Sequence, residues 1–337
     1  VYRPALVLAL VLAGAAVAPP SAPAEEFEEH LSLDSKTLHL ANIVGEIRIE
    51  GHEEPGFQVD VRVRGKDASH DVRVMSQRTA SGAEVMIRFP LDQENHYVYP
   101  PMGRSKTTFH PRMAGVGWFR HLVNSLAGTR VTVSGEGDGR EVWADVVIKV
   151  PRGASLAVRN GAGTMVARDV SGDLSLDSQT GRVAVSSLQG GLSVDTGSGG
   201  VEAAGIRGAV DIDTGSGGVT LRDVEGPVHV DTGSGSLEFE RCRGDEMAVD
   251  TGSGGATLSG IAYGEVSVNT GSGSIELGLV RPVSARIAAS TGSGGISVDL
   301  DDVRVLRNDV HDKEFEAGSG EARITLETGS GSIRVTA

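Results

Sequence analysis

Val210-Asp211-Ile212-Asp213-Thr214-Gly215-Ser216-Gly217-Gly218-Val219-Thr220-Leu221 is the stretch that decides the fold. Apolar and polar residues alternate on both sides of a glycine-rich corner, the period-two pattern of a strand with one buried face. Val210, Ile212 and Thr214 share that face, and Val219 and Leu221 continue it past the corner. Leu192, Val194, Thr196, Val201, Ala203 and Ile206 fill the same slots one repeat earlier. Val228, Val230, Thr232, Leu237, Phe239 and Cys242 fill them one repeat later, followed by Met247, Val249, Thr251, Ala256, Leu258 and Ile261. Thr-Gly-Ser-Gly stands at Thr196–Gly199, Thr214–Gly217, Thr232–Gly235, Thr251–Gly254, Thr270–Gly273, Thr291–Gly294 and Thr328–Gly331, with weaker copies at Asn160–Gly163 and Thr180-Gly181. From Gly197 through Gly215, Gly233 and Gly252 to Gly271 the steps are 18, 18, 19 and 19 residues. A fixed period of that size marks a solenoid. The expected fold is all-β: a parallel β-helix or β-solenoid with coils of about 18–20 residues, right-handed by the preference of parallel crossovers. A more irregular β region precedes it.

Within each corner, Gly197, Gly215, Gly233, Gly252, Gly271, Gly292 and Gly329 are expected to make the bend through positive φ. The threonine before each faces inward, where its hydroxyl can bond a carbonyl or the next threonine in the stack. The aspartate faces outward. Asp195-Thr196-Gly197-Ser198 spells the signature of an aspartic protease, and Asp213, Asp231 and Asp250 repeat it. That chemistry needs two carboxylates facing each other across a cleft. Aspartates that recur once per coil on one outer edge do not meet that need, so no catalytic residue is assigned. At a strand spacing of about 4.8 Å, neighbouring charges repel by about 0.9 kcal/mol in water. Asp195, Asp213, Asp231 and Asp250 therefore form a candidate cation column, with calcium as the ion to test. The repeat lacks the further aspartate of calcium-binding nonapeptide solenoids.

The first residues read differently. Arg3 precedes an apolar run from Ala5 to Ala18, then Pro19, Pro20 and Ala22-Pro23-Ala24. This is the pattern of a secretory signal peptide over 1–24, cut before Glu25, and the run is shorter than the roughly 20 residues of a membrane span. An exported protein with no transmembrane span after cleavage is expected, in the periplasm, at the cell surface or outside the cell. Residues 25–150 form the N-terminal β region, with alternation at Ile47-Arg48-Ile49, Phe57–Val63, Val72–Val74 and Val85–Ile87, and 151–337 hold the repeats. Asn42-Ile43-Val44-Gly45-Glu46-Ile47 is a loose first copy of the repeat.

Alternation stops at an insert spanning 92–130. Asn95 to Gly135 contain no Asp or Glu but hold Arg104, Lys106, Arg112, Arg120 and Arg130. The chain's net charge of −14 thus splits into +5 there and −19 elsewhere. Trp118, Phe119, Leu122, Val123 and Leu126 recur at helical spacing before Gly128, which predicts a short amphipathic helix laid over the open end of the solenoid. Arg104, Lys106, Arg112 and Arg120, with Tyr97, Tyr99 and Trp118 as stacking surfaces, make a candidate patch for an anionic ligand. A cap whose charges only complement the acidic rod explains the same residues. Asp301 to Glu316 reads as a solvated loop, and Gly318-Ser319-Gly320 falls off the period.

Composition excludes several classes. The acidic balance argues against nucleic acid as a partner. The single cysteine, Cys242, rules out an internal disulfide framework and a multi-cysteine metal site. It occupies an inward slot shared with Ile206, Val224 and Ile261, so it reads as a core thiol. No His-Glu-x-x-His, phosphate loop or Gly-x-Ser-x-Gly elbow is present, and no cofactor is expected.

Val142–Pro151, followed by Val-x-x-Asn-Gly-x-Gly and the serial Val-Asp-Thr-Gly-Ser-Gly, resembles the bacterial presumed-adhesin family of β-strand-repeat (Thr-Gly-Ser-Gly-repeat) proteins, a domain of unknown function. The resemblance runs from about Leu38 to Ala337 and implies a β-helical fold without established catalytic residues. Three functions compete: a non-enzymatic envelope or cell-surface protein that binds a glycan or envelope component, a polysaccharide lyase or hydrolase, and a scaffold assembling end to end. Periodic acids, in place of an irregular cluster in one groove, favour the first. The scaffold reading rests on the last copy, Thr328 to Thr336, standing uncapped at the end of the rod.

Overall fold

The computed structural model describes residues 26–110 and 129–337. Each coil is two strands, such as Leu192–Ser198 and Val201–Arg207, joined at the Thr-Gly-Ser-Gly corner. Alternation puts one side of both strands into a shared interior, so successive coils stack as two parallel ladders with the core between them. Leu192–Ser198 pairs with Val210–Ser216, and Val201–Arg207 pairs with Val219–Glu225, each parallel and in register. The inward slots read from the sequence are filled as expected: Val194, Ile212, Val230, Phe239, Val249 and Leu258 are all buried.

The first coil is Thr37–Val44 with Ile47–His52, and Asn42 lies opposite Asn160 in register. The loose first copy is therefore a genuine coil, although it precedes the insert by sequence. Hydrogen bonding runs unbroken across residue 150, because Trp143–Pro151 pairs parallel with Ile47–His52 and antiparallel with Phe57–Arg64. The antiparallel strands Phe27–Leu33 and Phe57–Arg64 close one ladder, and the hairpin of Arg73–Thr79 with Gly82–Arg88 closes the other.

Inside the corner runs a file of polar side chains. Asn42, Asn160, Ser178, Thr196, Thr214, Thr232, Thr251, Thr270, Thr328 and Thr291 are all at most 4% exposed and lie in register from coil to coil. The hydroxyls are not all bonded. Thr270 Oγ1 donates to Gly273 O (3.0 Å), Thr328 Oγ1 to Gly273 O (2.9 Å) and Thr291 Oγ1 to Gly331 O (3.0 Å). Thr196, Thr214, Thr232 and Thr251 have no partner for Oγ1. Isosteric valine separates the two groups. Thr328→Val is expected to lose about 1–3 kcal/mol, and Thr214→Val to be neutral or more stable by about 1 kcal/mol. Urea unfolding of both variants reads the difference.

The corner glycines are where expected, for a different reason. Gly197, Gly215, Gly233, Gly252, Gly271, Gly292 and Gly329 do not have left-handed φ. Their constraint is contact between coils: a Cβ on Gly215 would lie 2.7 Å from Gly197 O, and one on Gly271 would lie 2.4 Å from Gly252 O. Positive φ falls on the second glycine of the same corner, as at Gly273 (156°), Gly294 (141°) and Gly331 (151°), and residues with φ of 54–66° gather at the opposite corner, at Asp169, Ser187, Gly205, Asp223, Arg241 and Gly260. Most of these are not glycine, which is why composition alone did not reveal them. Arg241 steadies one such position by donating from Nε and Nη2 to Asp223 at 2.7 and 3.0 Å.

The far end departs from sequence order. Ala322–Ser330 pairs on one side with Ala256–Ser272 and on the other with Ala285–Ser293. Ile333–Thr336 likewise lies between Ile275–Leu279 and Ile296–Asp299. The last copy is thus inside the stack, and the expectation of an uncapped last copy does not hold. Asp301–Glu316, expected to be a solvated loop, contributes a hairpin of Val303–Asn308 and Asp312–Ala317. Its second strand pairs antiparallel with Ala285–Ser293 and covers that edge. Gly318-Ser319-Gly320 is off the period because it carries the chain over the start of Ala285–Ser293, from one flank to the other.

Candidate functional site

The basic insert forms a sheet of its own beside the solenoid. Its described part is a small sheet in which Val131–Ser134 lies between His96–Val98 and Lys106–Phe109. Gly135 N donates to Ser105 O at 3.0 Å, and only glycine fits there, since a Cβ on Gly135 would fall 1.9 Å from Gly103 O. The sheet rests on the corner edge of the first coils. The Phe109 ring occupies the space where a Cβ of Gly161 would be, and Thr180 Oγ1 donates to Thr107 Oγ1 at 2.9 Å. The predicted helix over 118–126, with Arg112, Trp118 and Arg120, lies outside the described residues, as does the signal-peptide segment 1–24.

The proposed stacking surfaces require correction. Tyr97 is 0% and Tyr99 5% exposed, so both are core residues rather than open ligand platforms. Tyr97 meets Phe89 edge-on at 5.3 Å and donates its hydroxyl to Glu94 O at 3.0 Å. Tyr99 packs on Trp143 at 5.7 Å. Burial pushes both phenols well above their usual range. The Tyr97 hydroxyl is satisfied within the fold, which is how an aromatic with a hydroxyl serves a core. Arg104 and Lys106 remain exposed, and His96, His110 and Arg130 are exposed around them.

The aspartate column is real. Asp177, Asp195, Asp213, Asp231 and Asp250 follow one another in register, and all but the half-buried Asp177 are exposed. It ends on favourable neighbours, with Arg159 Nε 3.4 Å from Asp177 and Asn269 Nδ2 donating to Asp250 at 3.2 Å. Among the described residues, no three His, Cys, Asp or Glu side chains converge to hold a metal ion. Asn269 shows how the column tolerates an amide. Asp213→Asn is accordingly expected to stabilise by about 0.5–1 kcal/mol at low salt, by removing two repulsions of about 0.9 kcal/mol before screening. The gain should shrink at high salt in thermal melts.

A second feature went unnoticed in the sequence, where these strands gave only their alternation. A groove of about 180 Å³ on the outer face near the first coil is lined by Glu28, His30, Glu46, Arg48, Asp60, Arg62, Arg64 and Asp145. Arg62 pairs with Glu28, Arg48 with Glu46 (2.8 Å), Arg64 with Asp145 (3.6 Å) and His30 Nδ1 with Asp60 (2.7 Å). The bond to Asp60 raises the His30 pKa, and the bond to Arg62 lowers that of Glu28. Each arginine already faces a carboxylate and the remaining carboxylate, Asp60, faces His30, so the groove offers no unpaired cation to an anionic ligand. Cys242 is fully buried, and desolvation pushes its thiol up to about 11, the behaviour of a packing residue.

These features define an elongated β-solenoid carrying a small basic sheet on one edge. The chain belongs to the Toastrack DUF4097 family, a domain of unknown function, whose profile matches residues 141–336. No curated protein matches the chain. A crystal structure of a presumed cell adhesion protein from Clostridium sporogenes is similar over 93% of this chain and 99% of that one, at 11% identity and a TM-score of 0.23. At that score the strand pairing and the family match are what establish the fold. Among the described residues no helix is long and apolar enough to cross a membrane.

Proposed function

We propose that the protein is a non-enzymatic, exported β-solenoid of the cell envelope or surface that binds, adhesin-like, through its lateral faces and its basic insert. One observation supports this reading above others: outward side chains repeat in register from coil to coil. Ser198, Ser216, Ser234, Ser253 and Ser272 form one exposed column, and Asp195 to Asp250 form another beside it. Such a surface presents one group many times to an extended partner, whereas catalysis needs unlike groups gathered at one point. The patch at Arg104 and Lys106 suits an acidic glycan, because it is the cationic exception on a chain of net charge −14.

Binding of the whole chain to an acidic polysaccharide, followed by titration at low and physiological salt, tests the assignment. Arg104→Ala combined with Lys106→Ala is expected to weaken binding about fivefold or more, the loss of two exposed charge-assisted contacts. Affinity unchanged by the double substitution, or indifferent to salt, would remove the insert from the binding surface.

A further inference from the structure

The coil of 322–336 is bonded on both flanks, so it fills a slot rather than ending a stack. On one wall Gly273 N donates to Ser330 O and Ile275 N to Ser332 O, both at 2.9 Å. On the other, Gly331 N donates to Ser293 O and Ile333 N to Gly295 O, also at 2.9 Å. The hydroxyl of Thr328 joins the file, its Oγ1 lying 3.0 Å from Thr270 Oγ1. Shape is specified as tightly as bonding. A Cβ on Gly329 would lie 2.5 Å from Gly271 O, and one on Gly292 would lie 2.5 Å from Gly329 O. Charge agrees on one wall, where Arg323 lies opposite Glu265 and Arg334 opposite Glu276, while on the other wall Arg323 lies opposite Arg286 and Arg334 opposite Ser297.

The segment reaches this slot by one short crossover. Gly318 and Gly320 hold left-handed φ of 59° and 70° there, and Ser284 Oγ meets Ser319 Oγ at 2.8 Å. Opening those residues into an extended linker would free the coil without altering any contact inside the slot. We propose that the slot is a self-recognition site, which takes the 322–336 coil of a second copy of this chain and so forms an exchanged dimer. The two arrangements share every slot contact, so their balance is set by concentration and by the crossover. This exchange is separate from whatever the lateral faces bind.

Cysteine pairs across the slot test it in the full chain. Ser272 and Ser330 are exposed register partners on neighbouring strands. Two chains, one carrying Ser272→Cys and the other Ser330→Cys, both with Cys242→Val, are unfolded together, refolded at high concentration and oxidised. Exchange gives a covalent heterodimer about tenfold above a control pair of Ser216→Cys with Ser330→Cys, which are not register partners. One chain carrying both Ser272→Cys and Ser330→Cys closes within itself when refolded dilute. Gly318→Val with Gly320→Val, which penalises the closed crossover, raises the dimer fraction about a hundredfold, the equivalent of two strained left-handed residues. Heterodimer at the control level overturns the proposal, as does a strict monomer at every concentration for both crossover forms. A crossover variant that fails to fold leaves the cysteine result to decide.

Discussion

Gly217→Ala is expected to cost about 4 kcal/mol or more and to prevent the middle coils from stacking. The alanine Cβ would lie 2.2 Å from Gly199 O and 2.7 Å from Gly199 C, well inside contact distance of the coil before it. Both are backbone atoms held by parallel ladders on each side, so neither can give without breaking register. The position has no left-handed φ, so the effect is steric and not conformational. Gly200→Ala is the matched control. Its nearest neighbour would be Gly218 O at 3.5 Å, an ordinary contact, and the change is expected to be near neutral. Ser236, Ser274 and Ser332 already stand at the equivalent third position in other coils. Thermal melts of the two variants check the contrast, and equal losses would show that the corner is read wrongly.

Leu326→Ala carries the second large effect, an expected loss of about 3–4 kcal/mol. Leu326 is 0% exposed and lies in register between Val268 on one side and Ala289 on the other. Removing it leaves a cavity walled by ladders that cannot collapse independently. If the coils stacked in sequence order, Val268 would meet Ala289 and Leu326 would belong to an outer coil that frays at little cost. A loss below about 1 kcal/mol, with hydrogen exchange accelerated only after residue 322, would favour that sequential order.

The site was less legible than the fold. Arg104 and Lys106 were readable as a cationic exception because charge sign survives any fold. Tyr97 and Tyr99 were not, because a phenol suits a stacking surface and a core equally well. Only contacts with Phe89 and Trp143 decide between them. The paired groove around His30 and Asp60 had no signal of its own, since its residues come from strands distant in sequence.

The sequence by itself determined the solenoid, its period, its inward slots and the place of the corners. Those properties follow from local alternation and from glycine where coils touch, and each coil states them again. It did not determine which coils are neighbours at the far end. Every coil presents the same backbone edge and the same Thr-Gly-Ser-Gly register, so 285–299 and 322–336 are both able to lie against 266–279. Side-chain volume and charge select between them in the folded molecule. Leu326 and Arg334 suit the interior position beside Val268 and Glu276, where the other coil would place Ala289 and Ser297, whereas Ile324 and Arg323 match Ile287 and Arg286 and do not discriminate. Ala285 and Ala289 flank Ile287 at the edge, where Phe315 of the covering hairpin comes in. That choice depends on contacts between residues up to 58 positions apart, and only the tertiary structure brings them together.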